Sequence, residues 1–132
     1  MVSTRGRYAL RVMVDLAQHQ SQGPIPMKDV AQRQQISLKY LEKILPVLSK
    51  NGYIVGTHGK GGGYQLTRAP EEYRVGDILR LTEGDLAPVA CLEAGAAPCQ
   101  QQDTCPTRSL WCELGRRVNE YLDSVTLADL MK

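Results

Sequence analysis

Three of the chain's four cysteines fall within fifteen residues, in the stretch CLEAGAAPCQQQDTC at positions 91–105. Clustered thiols can bind a metal, close a disulfide or serve as redox-active nucleophiles. Seven residues separate Cys91 from Cys99, and five separate Cys99 from Cys105. This is neither the CxxC knuckle of a zinc ribbon nor a ferredoxin run. The intervening residues are small or polar, so the stretch reads as a loop able to fold three thiolates around one centre. Cys112 comes seven residues after Cys105, about 10 Å along a helix. That is long for another ligand of the same small centre, and Cys112 reads better as a packed or idle thiol beside Trp111.

No other constellation suggests catalysis. His19 and His58 are isolated in sequence, and no nucleophile elbow or paired acids stand in a pocket-like context, so an enzyme is not expected. The N-terminal MVSTRGRYALRVM has neither a long apolar run nor a small-residue cleavage site. It predicts a cytoplasmic chain with no signal peptide and no membrane span, where thiols stay reduced and structural disulfides are disfavoured.

The chain has 132 residues, enough to bury a core without staples. Its net charge of +2 is unevenly spread: residues 1–68 carry +7 and residues 69–132 carry −5. A basic half joined to an acidic half points to a polyanionic partner for the first half. A solvated basic surface is the plainer alternative.

The elements that would present these charges follow from periodicity. Residues 4–19 read as a helix, with Leu10, Val14 and Ala17 on one face and Val12, Met13 and Leu16 close by. QSQGPIP breaks it. MKDVAQRQ is a short second helix with Val30 and Ala31 inward, and Gln35 and Ile36 form a turn. Ser37 caps a third helix, SLKYLEKILPVLSK, whose Leu38, Leu41, Leu45 and Leu48 form one stripe. Lys39, Tyr40, Lys43 and Lys50 then face solvent. Pro46 removes a hydrogen bond near the end of this helix, a tolerated bend. Asn51-Gly52 ends the helix, and YIVGT and GYQLTR are two strands joined by the glycine-rich, basic HGKGGG.

Two short helices followed by a hairpin with a basic tip predict a winged helix-turn-helix: a mainly α fold with a small β-hairpin. A helix of this kind enters the major groove of double-stranded DNA, where base edges are distinguishable. Ser37, Lys39, Tyr40 and Lys43 are the candidate contacts on it, with His58, Gly59 and Lys60 at the wing and Thr4, Arg5 and Lys28 on the preceding helices. Gly59, Gly61, Gly62 and Gly63 would allow close approach to the backbone. A phosphate cradle for a nucleotide would instead want a helix after the glycines.

Val75–Glu83 is expected to be a connecting helix. Pro106 opens a long helix, TRSLWCELGRRVNEYLDSV, in which Trp111, Leu114, Val118, Tyr121 and Val125 recur at three, four, three and four. Such a seam needs a partner. Either it packs on the chain's own first helix, or it pairs with a second copy in a homodimer that presents two readers to a pseudo-palindrome. The expected layout is a DNA-binding region at 1–70 (helix-turn-helix about 27–50, wing about 53–68), a connecting helix and cysteine loop at 71–103, and a dimerisation helix with a short final helix at 104–132.

The stretches TRGRYALRVMVDLA, ISLKYLEKIL, GKGGGYQL, CPTRSLW and SVTLADLM together resemble the IscR-type iron–sulfur-cluster regulators, bacterial winged-helix transcription factors. The likeness runs from about residue 2 to residue 131. It implies operator binding, usually as a repressor, a homodimer, and an iron–sulfur cluster of 2Fe–2S type on Cys91, Cys99 and Cys105. It also implies that Ser37, Lys39, Tyr40 and Lys43 lie on the reading helix. The chain departs from the pattern in three places. His58-Gly59-Lys60 replaces an Arg-Gly-Pro wing. Arg108 stands where enteric members carry a ligating His, and Arg7 where nitric-oxide sensors carry an Asp. Arginine stays protonated and cannot ligate, so Glu42 of a partner's reading helix is the first candidate fourth ligand, with Cys112 behind it. The alternatives are a thiol-redox or partner-controlled DNA-binding regulator without a cluster, and a pure interaction module that contacts a metabolic enzyme.

Overall fold

The computed structural model describes residues 2–97, 101 and 103–131. It is mainly helical with one antiparallel hairpin, in the order α1 (Thr4–Gln18), α2 (Met27–Gln34), α3 (Leu38–Lys50), β1 (Ile54–Thr57), β2 (Gly63–Leu66), α4 (Val75–Glu83), α5 (Arg108–Ser124) and α6 (Leu127–Leu130). Short 3₁₀ turns lie at Gln20–Gln22, Pro70–Glu72 and Ala90–Leu92. Among the described residues no helix is long and apolar enough to cross a membrane.

The core gathers around α1. Ala9, Val12, Met13 and Leu16 are buried against Val30, Leu41, Ile44, Leu48, Ile54, Tyr73, Ile78 and Leu127, each large side chain contributing about 1.5–3 kcal/mol. The inward face of α1 is thus rotated from the expected one. Leu10 and Val14 are only half-buried, because α1 is covered mainly by α4, with α2, β2 and α6 beside it. In α3 the buried stripe is Leu41, Ile44, Leu45 and Leu48. Leu38, expected on it, is 45% exposed; it is the first helical residue, and Ile36 from the preceding turn is buried. The helix runs on through Pro46 to Lys50.

Asp15 is the one buried charged residue among those described. Its carboxylate accepts from Arg33 Nη2 at 2.7 Å, Arg33 Nε at 3.0 Å and Gln34 Nε2 at 2.9 Å, which ties the end of α2 to the last turn of α1. Gln35 then turns the chain with φ of 54°. Ser37 Oγ accepts from Tyr40 N at 3.1 Å and starts α3.

The wing is anchored twice. Strand register runs from Ile54 opposite Leu66 to Thr57 opposite Gly63. Tyr64 exchanges both backbone hydrogen bonds with Ile25, each 2.9 Å, so the wing extends from the segment that leads into α2. A methyl at Gly63 would collide with the Ile25 carbonyl, and one at Gly62 with Thr57 and Gly59 oxygens. These two glycines are therefore required for packing within the wing itself. At the wing's base the buried Tyr73 hydroxyl donates to the Tyr53 carbonyl at 2.7 Å and accepts from Thr67 N at 3.0 Å. Arg68 lies over both the Tyr53 and Tyr73 rings, at 4.8 and 4.9 Å. Tyr73→Phe is expected to cost about 1–2 kcal/mol in urea unfolding, since it strands both backbone partners. Amide exchange in β1 and β2 should speed up with it; unchanged exchange there would show that the hydroxyl does not anchor the wing.

The C-terminal helices close over α4. Val75 N donates to Val125 O at 2.8 Å and Leu127 N to Tyr73 O at 3.1 Å, and a Thr126–Asp129 capping box starts α6. Helix α5 is held to α4 by Arg80, which donates to Asn119 Oδ1 and, at 2.8 and 2.9 Å, to both Asp123 oxygens. Leu122 and Val125 pack on Val75, Leu79 and Leu86. No described residue of α5 is buried. Leu110, Leu114 and Tyr121 are 57%, 38% and 68% exposed. The intrachain packing of α5 is thus mainly against α4 and leaves much of the seam open.

Candidate nucleic-acid interface and cysteine loop

The candidate DNA-reading surface begins at α3. Its capping residue Ser37 spends a hydroxyl lone pair on Tyr40 N but stays exposed. Lys39 and Lys43 are exposed. Tyr40, expected to stand free, is half-buried, its ring meeting Tyr8 of α1 edge to face at 5.2 Å. Aromatic pairing of this kind adds about 0.5–1.5 kcal/mol beyond burial, and it fixes α1 against the reading helix. Arg11 lies over the same Tyr8 ring at 5.5 Å and donates to the Gln34 side-chain and backbone oxygens. Arg5 of α1 is brought beside α3, where it lines one groove with Tyr40, Glu42, Lys43 and Pro46.

The remaining candidates are spread over the same half of the chain. Thr4 is exposed and accepts from Arg7 at 3.1 Å. Lys28 is exposed on α2, and His58, Gly59 and Lys60 are exposed at the wing tip, with Gly59 at φ of 94°. Among the described residues, Arg33, Arg80, Arg116 and Arg117 form ion pairs with acids, whereas Arg5, Lys28, Lys39, Lys43 and Lys60 form none. The unpaired cations are those free to neutralise phosphates.

Sequence reasoning passed over Glu83. It ends α4, yet its Oε1 accepts from Ser3 N at 2.9 Å, Ser3 Oγ at 2.6 Å and Gly6 N at 3.1 Å. Partial burial pushes this carboxyl up, but the hydrogen bonds from Ser3 and Gly6 outweigh it and hold the group below its ordinary range. A lone acid at a helix end carries no sequence signal of a partner some eighty positions away.

The cysteine loop leaves α4 at Gly84. Asp85 organises its first limb, accepting from Ala87 N at 2.7 Å and Ala94 N at 2.6 Å. Cys91 is exposed in the 3₁₀ turn Ala90–Leu92. Cys105 is half-buried just before α5, its Sγ 3.5 Å from Thr107 Oγ1. That hydroxyl, with the Thr107 and Arg108 backbone amides, holds the Cys105 thiol below its ordinary value, which favours the thiolate. Cys99 lies outside the described residues. Cys112 is an exposed free thiol rather than a packed one, in a groove with Asp85, Leu92, Trp111 and Asn119. Among the described residues no three His, Cys, Asp or Glu side chains converge as a metal-holding group. Glu42 therefore does not join Cys91 and Cys105 within one chain, and Arg108 is exposed.

Comparison with known proteins bears on both surfaces. The family model described as Rrf2, iron-dependent transcriptional regulator, matches residues 2–132. Protein rrf2 of Nitratidesulfovibrio vulgaris is 45% identical over 131 residues, covering 99% of this chain and 87% of that one. The structure of CymR (YrzC), the global cysteine regulator of B. subtilis, superposes with a TM-score of 0.84 at 37% identity, covering 98% of this chain and 95% of that one. T. potens IscR superposes with a TM-score of 0.81 at 40% identity, covering 98% and 85%. A winged helix-turn-helix matched along its whole length by regulators makes this chain a member of the Rrf2 family, a DNA-binding transcriptional regulator and not an enzyme.

Proposed function

We propose that the protein is a cytoplasmic, homodimeric repressor that senses iron–sulfur cluster status. In this reading residues 1–70 bind the operator through Ser37, Lys39, Tyr40 and Lys43 of α3 and His58, Gly59 and Lys60 of the wing. Thr4, Arg5 and Lys28 contact phosphates, and residues 104–132 pair the subunits. The observation that carries the DNA surface is that Arg5, Lys28, Lys39, Lys43 and Lys60, all in the basic half of the chain, are exposed and without acidic partners among the described residues.

Cys91, Cys99 and Cys105 would hold the cluster. The donor set fits. Cys91 and Cys105 are free and accessible on the two limbs of one loop, and thiolate ligation suits iron–sulfur chemistry. When bound, a 2Fe–2S cluster would supply a centre responsive to oxidants and iron supply. Holding Cys91 and Cys105 together would tie the end of α4 to the start of α5. Glu42 of the partner's α3 remains the first candidate for a fourth ligand, with Arg108 offsetting negative charge nearby.

The test is purification without oxygen, with visible absorption and iron and sulfide analysis, beside Cys99→Ala. The expected result is a brown protein with near-stoichiometric iron and sulfide, bleached by the substitution. A colourless protein with free thiols would remove the cluster. It would favour the second reading, a thiol-redox or partner-controlled DNA-binding regulator, which the similarity to a cysteine regulator supports.

A further inference from the structure

A helix N-terminus leaves four backbone N–H groups without intrahelical acceptors, and a Ser at the cap position ordinarily accepts from one. Ser3 stands at that position of α1 with cap geometry, φ −97° and ψ 176°, but its side chain makes no cap bond. Instead it donates. One oxygen of Glu83 receives the Ser3 amide, the Ser3 hydroxyl and the Gly6 amide. A methyl at position 6 would clash with that oxygen, so the glycine in the first turn is what admits it. Arg5 lies between the two residues so held, exposed and beside Tyr40 and Lys43 of the reading helix.

The same end of α4 also holds the cysteine loop. Asp85 receives Ala87 N and Ala94 N, which bracket Cys91. Only Gly84 separates the two carboxylates, at φ of 83°, a conformation that ends the helix sharply. Two residues of chain span at most about 7 Å, so the carboxylate that holds the loop's first limb and the one that holds the start of α1 are carried on adjoining backbone.

We propose that Glu83 is a positioning residue for DNA binding, and that Glu83–Gly84–Asp85 carries the state of the cysteine loop to the DNA-facing start of α1 within one subunit. The inference rests on reading Arg5 as a phosphate contact. Glu83 touches no DNA itself; it sets the angle at which Arg5 leaves α1.

The test is the salt dependence of binding to a mixed-sequence DNA duplex, followed by fluorescence anisotropy. Each Arg5 withdrawn from a phosphate should lower the slope of log affinity against log salt by about 0.9. Arg5→Ala, Glu83→Ala and Gly6→Ala should each show that loss. Combining Glu83→Ala with Arg5→Ala should add nothing, and Glu83→Gln, which keeps an acceptor oxygen, should restore most of the slope. Gly6→Ala guards against a mere folding defect, because alanine favours the helix while its methyl displaces the carboxylate. A normal slope in Glu83→Ala beside a reduced one in Arg5→Ala, or additive losses, would overturn the role of Glu83 alone. A normal slope in Arg5→Ala would remove the phosphate contact and the proposal with it. For the link to the loop, Asp85→Asn should shift the amide resonances of Ser3 and Gly6 as well as those of Ala87 and Ala94. Unmoved Ser3 and Gly6 would refute the coupling.

Discussion

Leu114→Asp combined with Tyr121→Asp should leave the protein monomeric by sedimentation and weaken operator binding by about 10²–10⁴-fold, the advantage a second linked site supplies. The two side chains are 38% and 68% exposed on a helix with no buried residue. An apolar face of this kind costs little in the isolated chain and is expected where a second copy covers it. Exposed positions also keep the control simple: unfolding of the variant chain should change by no more than about 0.5 kcal/mol apart from the lost linkage to dimerisation. A double variant that still sediments as a dimer would place the subunit contact elsewhere and reopen the role of α5.

Asp15→Asn should lower stability by about 2–4 kcal/mol in urea unfolding. The carboxylate is buried and bears two bonds from Arg33 and one from Gln34. Removing one partner of a buried pair leaves the other's desolvation uncompensated, although Arg33, with its side chain 33% exposed, recovers some hydration. The pH dependence carries the same signature. Burial pushes the Asp15 carboxyl up, but the Arg33 and Gln34 hydrogen bonds and the Arg33 and His19 charges prevail, so the net shift is below its ordinary 3.8. A depressed folded value means that the stabilisation is complete above about pH 4 and is lost as pH falls through the lower folded value. The wild type should lose this increment in acid, whereas Asp15→Asn should show a shallower loss over that window, with only the other depressed carboxyls such as Glu83 contributing. Equal slopes in the two proteins would show that the Asp15–Arg33 contact contributes nothing net. Because this contact fixes α2 against α1, DNA affinity should fall with it.

Much of the fold was legible in the chain itself. Ser37 before an amphipathic run, Asn51-Gly52 after it and Pro106 before the last long helix are local signals, and the helices start and stop where these residues act. The hairpin was legible from alternation on either side of HGKGGG. The faces were less so. Periodicity says that α1 has an apolar stripe, but Leu10 and Val14 lie on its margin because which side is covered depends on where α2, α4, α6 and the wing dock. The same limit misplaced Leu38 and Tyr40, at positions where a neighbouring element, the turn at Ile36 or the Tyr8 ring, settles the environment.

For the candidate site, the sequence by itself determined the inventory: which cations sit in the basic half, which thiols share a loop, and which elements carry them. Composition and spacing are properties of the covalent chain and need no fold to be read. Only the tertiary structure decided which of those groups are free and which are engaged. Arg33 is spent on Asp15 and Arg80 on Asp123, while Lys39, Lys43 and Arg5 remain without acidic partners among the described residues. It also decided that Glu83 caps a helix some eighty positions earlier in the chain. Such pairings join residues distant in sequence, and no local propensity encodes a contact whose geometry exists only once the helices have packed.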